Sequence, residues 1–111
     1  RTINFDKYEE DIKKIFLTLS DLKGVEKTGA SKVMHIKIPE VFVMWDGYIR
    51  DKYGFKKGDA DDFFNFLKEM QHLFAKIKIP SDYHYTLSKL IDAHNYKTIT
   101  EPILKEKKKN K

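Results

Sequence analysis

The sequence context of one acidic residue, Asp46, suits a catalytic carboxylate. Asp46 follows Trp45 and precedes Gly47 and Tyr48. Aromatic walls partly desolvate a carboxylate and raise its pKa, which suits a general base that activates water. The same place, just before an amphipathic run, also suits a helix N-cap, which contributes about 1 kcal/mol without any function. By itself the pattern favours the cap, because the helix dipole favours the charged carboxylate.

A second group of candidate residues lies in a short connection between two predicted helices. A turn built on Gly24 and Val25 can point several backbone N–H groups outward beside a helix N-terminus. Such groups bind phosphate without any basic side chain. The plainer alternative is that Gly24 only ends the first helix. The candidate nucleic-acid-binding residues are Lys23, Gly24, Val25, Lys27 and Thr28.

The segments 22–30 and 45–50 together resemble the helix-hairpin-helix DNA glycosylases, the endonuclease III-like superfamily. The positions that match the hairpin pattern are Leu22, Gly24, Val25 and Ala30. Asp46 falls on the catalytic aspartate of that family. The resemblance implies a DNA-binding helical module, a place in DNA repair, and a candidate catalytic role for Asp46. It covers residues 22–50 only.

Two departures from the family pattern bear on activity. Glu26 stands where the second hairpin glycine is expected, and its carboxylate would oppose a bound phosphate. Thr28 stands where the bifunctional members carry a lysine nucleophile, so the resemblance does not imply lyase chemistry. The sequence thus leaves open a degenerate or monofunctional base-excision enzyme and a protein with no enzymatic activity.

A second resemblance connects the chain to a prokaryotic helical family that has no known activity. The segments that carry it are Ser31-Lys32, Trp45-Asp46, Lys89-Leu90-Ile91-Asp92 and Asn95-Tyr96. It implies no reaction. The alternative function is therefore a non-enzymatic helical domain that binds another protein or has a structural role.

Apolar residues at helical spacing predict the elements that would position these candidates. Helices are expected over 6–21 with Asp6 as cap, from Thr28 or Ser31 to about Pro39, over 47–53, over 59–77, and from Ser81 to about Tyr96. The fourth should bury an apolar stripe that runs to Leu73, Phe74 and Ile77, and the fifth should turn His94 inward. The sequence predicts an all-α bundle of about five helices with a helix-hairpin-helix corner.

Length and charge predict the domain organisation. The 111 residues suffice for one domain, so we expect a single helical domain over 1–104. Residue 1 is Arg, which leaves open a preceding segment and hence the C-terminal part of a longer chain. The net charge is +5, but residues 105–111 carry five lysines and one glutamate. We expect this stretch to be a basic disordered tail on a nearly neutral body.

Several function classes are not predicted. The absence of cysteine excludes disulfides, thiolate zinc sites and cysteine nucleophiles. No two histidines flank a glutamate at zinc-helix spacing, and no phosphate-binding loop or dinucleotide fingerprint occurs. We therefore expect no metal, no cofactor and no membrane partner. The expected location is the cytoplasm. The expected partner is DNA, and the alternatives are another protein or a missing N-terminal segment of the same chain.

Overall fold

The computed structural model describes residues 3–75 and 87–109, and every regular element in these two ranges is helical. A short 3-10 helix, Phe5–Tyr8, precedes the first α-helix. The α-helices are α1 (Glu9–Ser20), α2 (Glu26–Lys37), α3 (Gly47–Tyr53), α4 (Ala60–Leu73), α5 (Leu87–Asn95) and α6 (Glu101–Lys109). The prediction of an all-α bundle of about five helices is confirmed, with α6 as an additional short helix.

The first helix starts later than its sequence pattern predicts. The chain enters through the 3-10 helix, and Asp6 makes no cap but lies 2.8 Å from the Lys68 ammonium of α4. On α1, Ile12 and Phe16 are buried, whereas Ile15 is 47% exposed. The buried stripe is therefore narrower than periodicity alone indicates, because among the described helices α1 packs mainly against α2 and α4.

The second element is a helix, as the sequence predicts. It begins at Glu26, so neither Thr28 nor Ser31 is its cap, and it ends at Lys37 just before Pro39. Both hydroxyl side chains are used elsewhere, in contacts with residues that follow α2 along the chain. Those contacts, rather than capping, fix the position of the first turn of α2.

Aspartates begin both of the next helices. Asp46 accepts a hydrogen bond from the Ile49 N–H, and Asp59 accepts one from the Asp62 N–H. This is the N-cap arrangement, which satisfies a backbone donor that the helix leaves unpaired. Gly54 ends α3 in the left-handed conformation at φ +85°, as the sequence predicts for a C-terminal glycine.

The later helices differ in detail from their predicted faces. The helix α4 ends at Leu73, which is 53% exposed and so does not extend the buried stripe. Ile77 and Ser81 lie outside the described residues. On α5, His94 is exposed rather than inward, although its ring contacts Phe74 at 5.4 Å between centroids. The buried residues of α5 are Ser88, Ile91, Asp92 and Asn95.

The centre of the core is Trp45, which is 1% exposed. Its ring lies 5.9 Å from that of Phe16 on α1, and 5.2 Å from those of Phe63 and Phe66 on α4. The 38–46 segment, defined here as the connection between α2 and α3, thereby enters the space between helices. Burial of so large an aromatic side chain stabilises the fold by several kcal/mol.

The C-terminal stretch is more ordered than the sequence predicts. A five-residue π-helix, Tyr96–Thr100, follows α5 and leads directly into α6. Residues 105–109, predicted as a disordered tail, are helical. Lys107 donates a hydrogen bond to the Tyr48 hydroxyl at 2.8 Å and stands 4.7 Å above its ring. The continuation of the helix from Glu101 and the contact with Tyr48 account for the order of residues 105–109, whose side chains remain exposed.

Candidate functional site

The connection between α1 and α2 is a tight corner. The Leu22 N–H donates to the Leu19 carbonyl and the Val25 N–H to the Leu22 carbonyl. The backbone φ angles then alternate in sign, at +85° for Gly24, −91° for Val25 and +55° for Glu26. Successive residues of opposite handedness turn their N–H groups toward one side, which is the backbone geometry of anion-binding nests.

Glu26 holds a conformation that its residue type disfavours. Among the described residues it is the one non-glycine with positive φ. An L-residue in the left-handed region costs about 1–2 kcal/mol. The backbone here thus adopts the shape that a glycine would allow freely, while the side chain brings an exposed carboxylate to the corner.

The start of α2 has no side-chain cap. Its N-cap residue is Val25, whose side chain accepts no hydrogen bond. The first N–H groups of a helix lack partners within the helix and carry its positive dipole end. Glu26 and Lys27 are exposed, so the first turn faces solvent. The corner therefore lies beside an uncapped, solvent-facing helix start, although the Val25 N–H is already paired with the Leu22 carbonyl.

Two cationic side chains meet beside the corner. Lys27 donates to the Lys57 carbonyl at 2.7 Å, and Arg50 of α3 donates to the Thr28 hydroxyl at 3.1 Å. Both pass over Gly58, where an added Cβ would lie 2.9 Å from Lys27 Cδ and 3.2 Å from Arg50 Cδ. The absence of a side chain at Gly58 is what allows these two cations to converge.

Arg50 packs against an aromatic ring and is partly buried. Its guanidinium lies 5.3 Å from the centre of the Trp45 ring. Burial lowers the pKa of Arg50 below its ordinary value, and the fields of Asp46 and Asp51 act in the opposite direction. Since a guanidinium stays protonated in proteins, Arg50 remains a cation placed next to Thr28.

Hydrogen bonds attach the 38–46 segment to α2. The Ser31 hydroxyl is fully buried, accepts from the Trp45 N–H at 3.0 Å and donates to the Thr28 carbonyl at 2.8 Å. The Trp45 indole N–H donates to the Lys27 carbonyl at 3.1 Å. These bonds bring the residue before Asp46 against the first turn of α2, so the corner and the candidate acid belong to the same region.

Asp46 itself is engaged in structural bonds. Its Oδ1 accepts from the Ile49 N–H at 2.8 Å, and its Oδ2 accepts from the Thr100 hydroxyl at 2.7 Å. Thr100 belongs to the π-helix and is 5% exposed. Both oxygens therefore stabilise the fold, one as helix cap and the other as a link to the C-terminal region, which is the alternative that the sequence favours for Asp46.

Of the predicted site residues, Lys27 and Thr28 lie with Arg50 beside Gly58, while Lys23 and Gly24 are exposed on the turn and Val25 is half-buried. Sequence reasoning missed Arg50, Ser31, Gly58 and Thr100 as parts of this region. Arg50 had a local signal, since it lies in the segment that resembles the glycosylases, and Ser31 lies in a segment of the second resemblance. Gly58 and Thr100 are brought in by long-range contacts that local patterns do not record.

The described ranges contain neither a metal-binding cluster nor a membrane-spanning helix. No group of three or more His, Asp or Glu side chains in residues 3–75 and 87–109 could hold a metal ion. None of the helices in these ranges has the length and apolar character needed to cross a bilayer. Comparison with models of known protein families, with curated proteins and with solved structures gave no significant match.

Proposed function

We propose that this protein is a DNA-binding helical module that holds the phosphate backbone at the α1–α2 corner and performs no base excision. The observation that carries the proposal is the alternation of φ across Gly24, Val25 and Glu26 beside the uncapped start of α2. Backbone donors in this geometry complement a phosphate oxygen. The resemblance of residues 22–50 to helix-hairpin-helix proteins is consistent with the same use.

The neighbouring cations support this assignment and limit its strength. Lys23 and Lys27 are exposed at the corner, and Arg50 lies against Thr28. Glu26 offsets part of this charge, and the body of the protein is nearly neutral. We therefore expect few phosphate contacts, and hence weak binding whose affinity decreases only moderately as salt rises.

The bonding of Asp46 is the reason that no excision chemistry is proposed. A general base must accept a proton from a water aligned with the substrate. Asp46 instead accepts from the Ile49 amide and the Thr100 hydroxyl, which are parts of the scaffold. Thr28 also supplies no amine for a covalent intermediate.

The test is binding of a short fluorescent DNA duplex, followed by anisotropy between about 50 and 200 mM salt. We expect Lys23→Gln/Lys27→Gln to weaken binding about tenfold and to reduce the salt slope by about 2, since each lost phosphate contact removes close to one released counterion. The matched control is Lys14→Gln/Lys37→Gln, which removes equal charge from exposed positions away from the corner.

An equal loss of DNA affinity in both double variants would contradict the proposal, because binding would then depend only on the total charge of the protein. Loss only on Lys108→Gln/Lys109→Gln would place binding in α6 instead. Absence of any binding by the wild-type protein at low salt would also reject it.

A second candidate function is a non-enzymatic protein-interaction domain, which one feature favours. Ile36 and Ile38 are 74% and 44% exposed at the end of α2. Exposed apolar side chains of this kind occur at protein-binding surfaces. If the wild-type protein binds no DNA but changes its sedimentation behaviour with concentration, and Ile36→Lys abolishes that change, the interaction domain is the better assignment.

A further inference from the structure

A buried pair of titratable side chains, separate from the α1–α2 corner, contacts the 38–46 segment. His35 of α2 is 5% exposed and Asp92 of α5 is 9% exposed. His35 Nδ1 is 3.1 Å from Asp92 Oδ2 and 2.7 Å from the Phe42 carbonyl oxygen. Asp92 Oδ1 accepts from the Met44 N–H at 2.8 Å. Two helices thus hold the backbone of one connecting segment through this pair.

The contacts determine which ring nitrogen carries hydrogen. Both neighbours of His35 Nδ1, the Phe42 carbonyl and the Asp92 carboxyl, are acceptors. Nδ1 is therefore the N–H nitrogen. The Nδ1–H points best to the closer Phe42 oxygen. Within the described residues, Asp92 Oδ2 consequently has no well-aligned donor.

The protonation state of Asp92 determines how much free energy it costs to bury this oxygen. A protonated Asp92 is neutral, whereas an ionised Asp92 places a charge in a site that solvent barely reaches. Burial raises the pKa of Asp92 to about 6, against the opposing effects of the Met44 hydrogen bond and of the fields of His35 and Lys89. Within residues 3–75 and 87–109, His35 and Lys89 are the charged side chains whose fields act on Asp92, and the contact from the 38–46 segment is the Met44 backbone N–H.

We propose that the His35–Asp92 pair is a pH-sensitive clamp, which holds the 38–46 segment most tightly when the Asp92 carboxyl is protonated and loosens it as that proton leaves. The segment ends in Trp45 and Asp46, so the clamp controls how firmly the core aromatic and the start of α3 are fixed. This device does not depend on the DNA-binding proposal.

The direction follows from linkage. When the segment opens, Asp92 is hydrated and its pKa returns toward the ordinary value, whereas in the closed form the pKa is raised. Between the two values the closed form binds more protons than the open form. The contribution of Asp92 to the stability of the closed form is therefore greatest at the acid end, falls as pH rises to about 6 and is level above it.

The experiment is amide hydrogen exchange by NMR on the whole protein between about pH 4.5 and 7.5, corrected for the intrinsic pH dependence of exchange. We expect protection of the Met44 amide to fall roughly tenfold or more across this range. The Asp62 amide, which an exposed aspartate caps at the start of α4, is the internal comparison and should show no such fall.

Two variants separate the clamp from general acid effects. Asp92→Asn keeps an oxygen for the Met44 N–H but cannot ionise, and it should flatten the pH profile of the Met44 amide. The control is Asp62→Asn. The Asp62 carboxylate also accepts a hydrogen bond from a loop N–H, that of Gly58 at 2.9 Å, and this variant should retain the wild-type pH profile of the Met44 amide.

Three results would overturn the clamp. The first is protection of the Met44 amide that stays constant with pH in the wild type. The second is a folded Asp92→Asn variant in which this protection changes with pH as it does in the wild type. If Asp92→Asn does not fold, carboxyl carbon NMR of the wild type decides instead, because an Asp92 midpoint at its ordinary value of 3.8 removes the basis of the device.

Discussion

At the residue scale, Glu26 is the position where conformation and chemistry conflict. Its φ of +55° suits glycine, and its exposed carboxylate lies at the corner where we propose that phosphate binds. The sequence analysis noted the charge from the missing glycine of the hairpin pattern. The structure adds the backbone angle, which shows that the left-handed conformation is kept although the glycine is absent.

We predict that Glu26→Gly stabilises the protein and strengthens DNA binding. Relief of the left-handed strain gains about 1–2 kcal/mol, and the larger chain entropy of glycine offsets about 0.5–1 kcal/mol, so the free energy of unfolding should rise by up to about 1.5 kcal/mol. Urea denaturation and DNA titration measure the two effects. Glu26→Gln, which removes only the charge, should improve binding without gaining stability, and equal stabilisation in both variants would exclude backbone strain as the cause.

At the element scale, Asp46 at the start of α3 was a candidate catalytic acid, and in the structure it connects α3 to another part of the fold. Asp46 caps α3 through the Ile49 amide and reaches the π-helix through Thr100. The neighbouring Arg50 then lies over the first turn of α2. One short helix thereby joins the corner to the C-terminal region, which gives the carboxylate a structural reason to be where it is.

We predict that Asp46→Ala lowers the free energy of unfolding by about 1–2 kcal/mol, since it removes a cap and leaves the Thr100 hydroxyl without its acceptor. DNA binding should change little, and no base release from damaged duplex DNA should be found in either protein. Asp51→Ala, at an exposed position of the same helix, is the control and should change stability by less than about 0.5 kcal/mol. Base release that Asp46→Asn abolishes in a folded protein would restore the catalytic hypothesis.

At the scale of the whole molecule, Trp45 organises the core and the candidate site together. It packs against α1 and α4, and hydrogen bonds tie its backbone and indole to α2. The segment that carries it is also the one held by His35 and Asp92. The corner, α3 and the buried pair therefore depend on one aromatic side chain being in place.

We predict that Trp45→Ala costs about 3–5 kcal/mol, which is a large share of the stability of a domain of this size. Thermal unfolding followed by circular dichroism should show a fall of well over 10 °C in Tm or no cooperative transition. Tyr96→Ala removes an aromatic ring that is 50% exposed and should leave the transition close to that of the wild type. Similar losses in the two variants would contradict a core centred on Trp45.

The sequence by itself determined the features that depend on neighbours within a few residues. Helical periodicity identified the helical class and most of the helices. The same local reasoning identified Asp46 as a cap, Gly24 as the turn and Gly54 as a helix end, because capping and turn geometry involve residues no more than four apart.

Only the tertiary structure decided which polar groups are buried and which residues meet. The buried face of α5 contains Ser88, Asp92 and Asn95, whereas hydrophobic periodicity placed His94 inward, because these polar groups find partners inside the fold and so escape the cost that periodicity assumes. The Asp92–Met44 and Asp46–Thr100 bonds join residues 48 and 54 positions apart. Such pairings arise from how helices pack against one another, and spacing along a single helix carries no record of them.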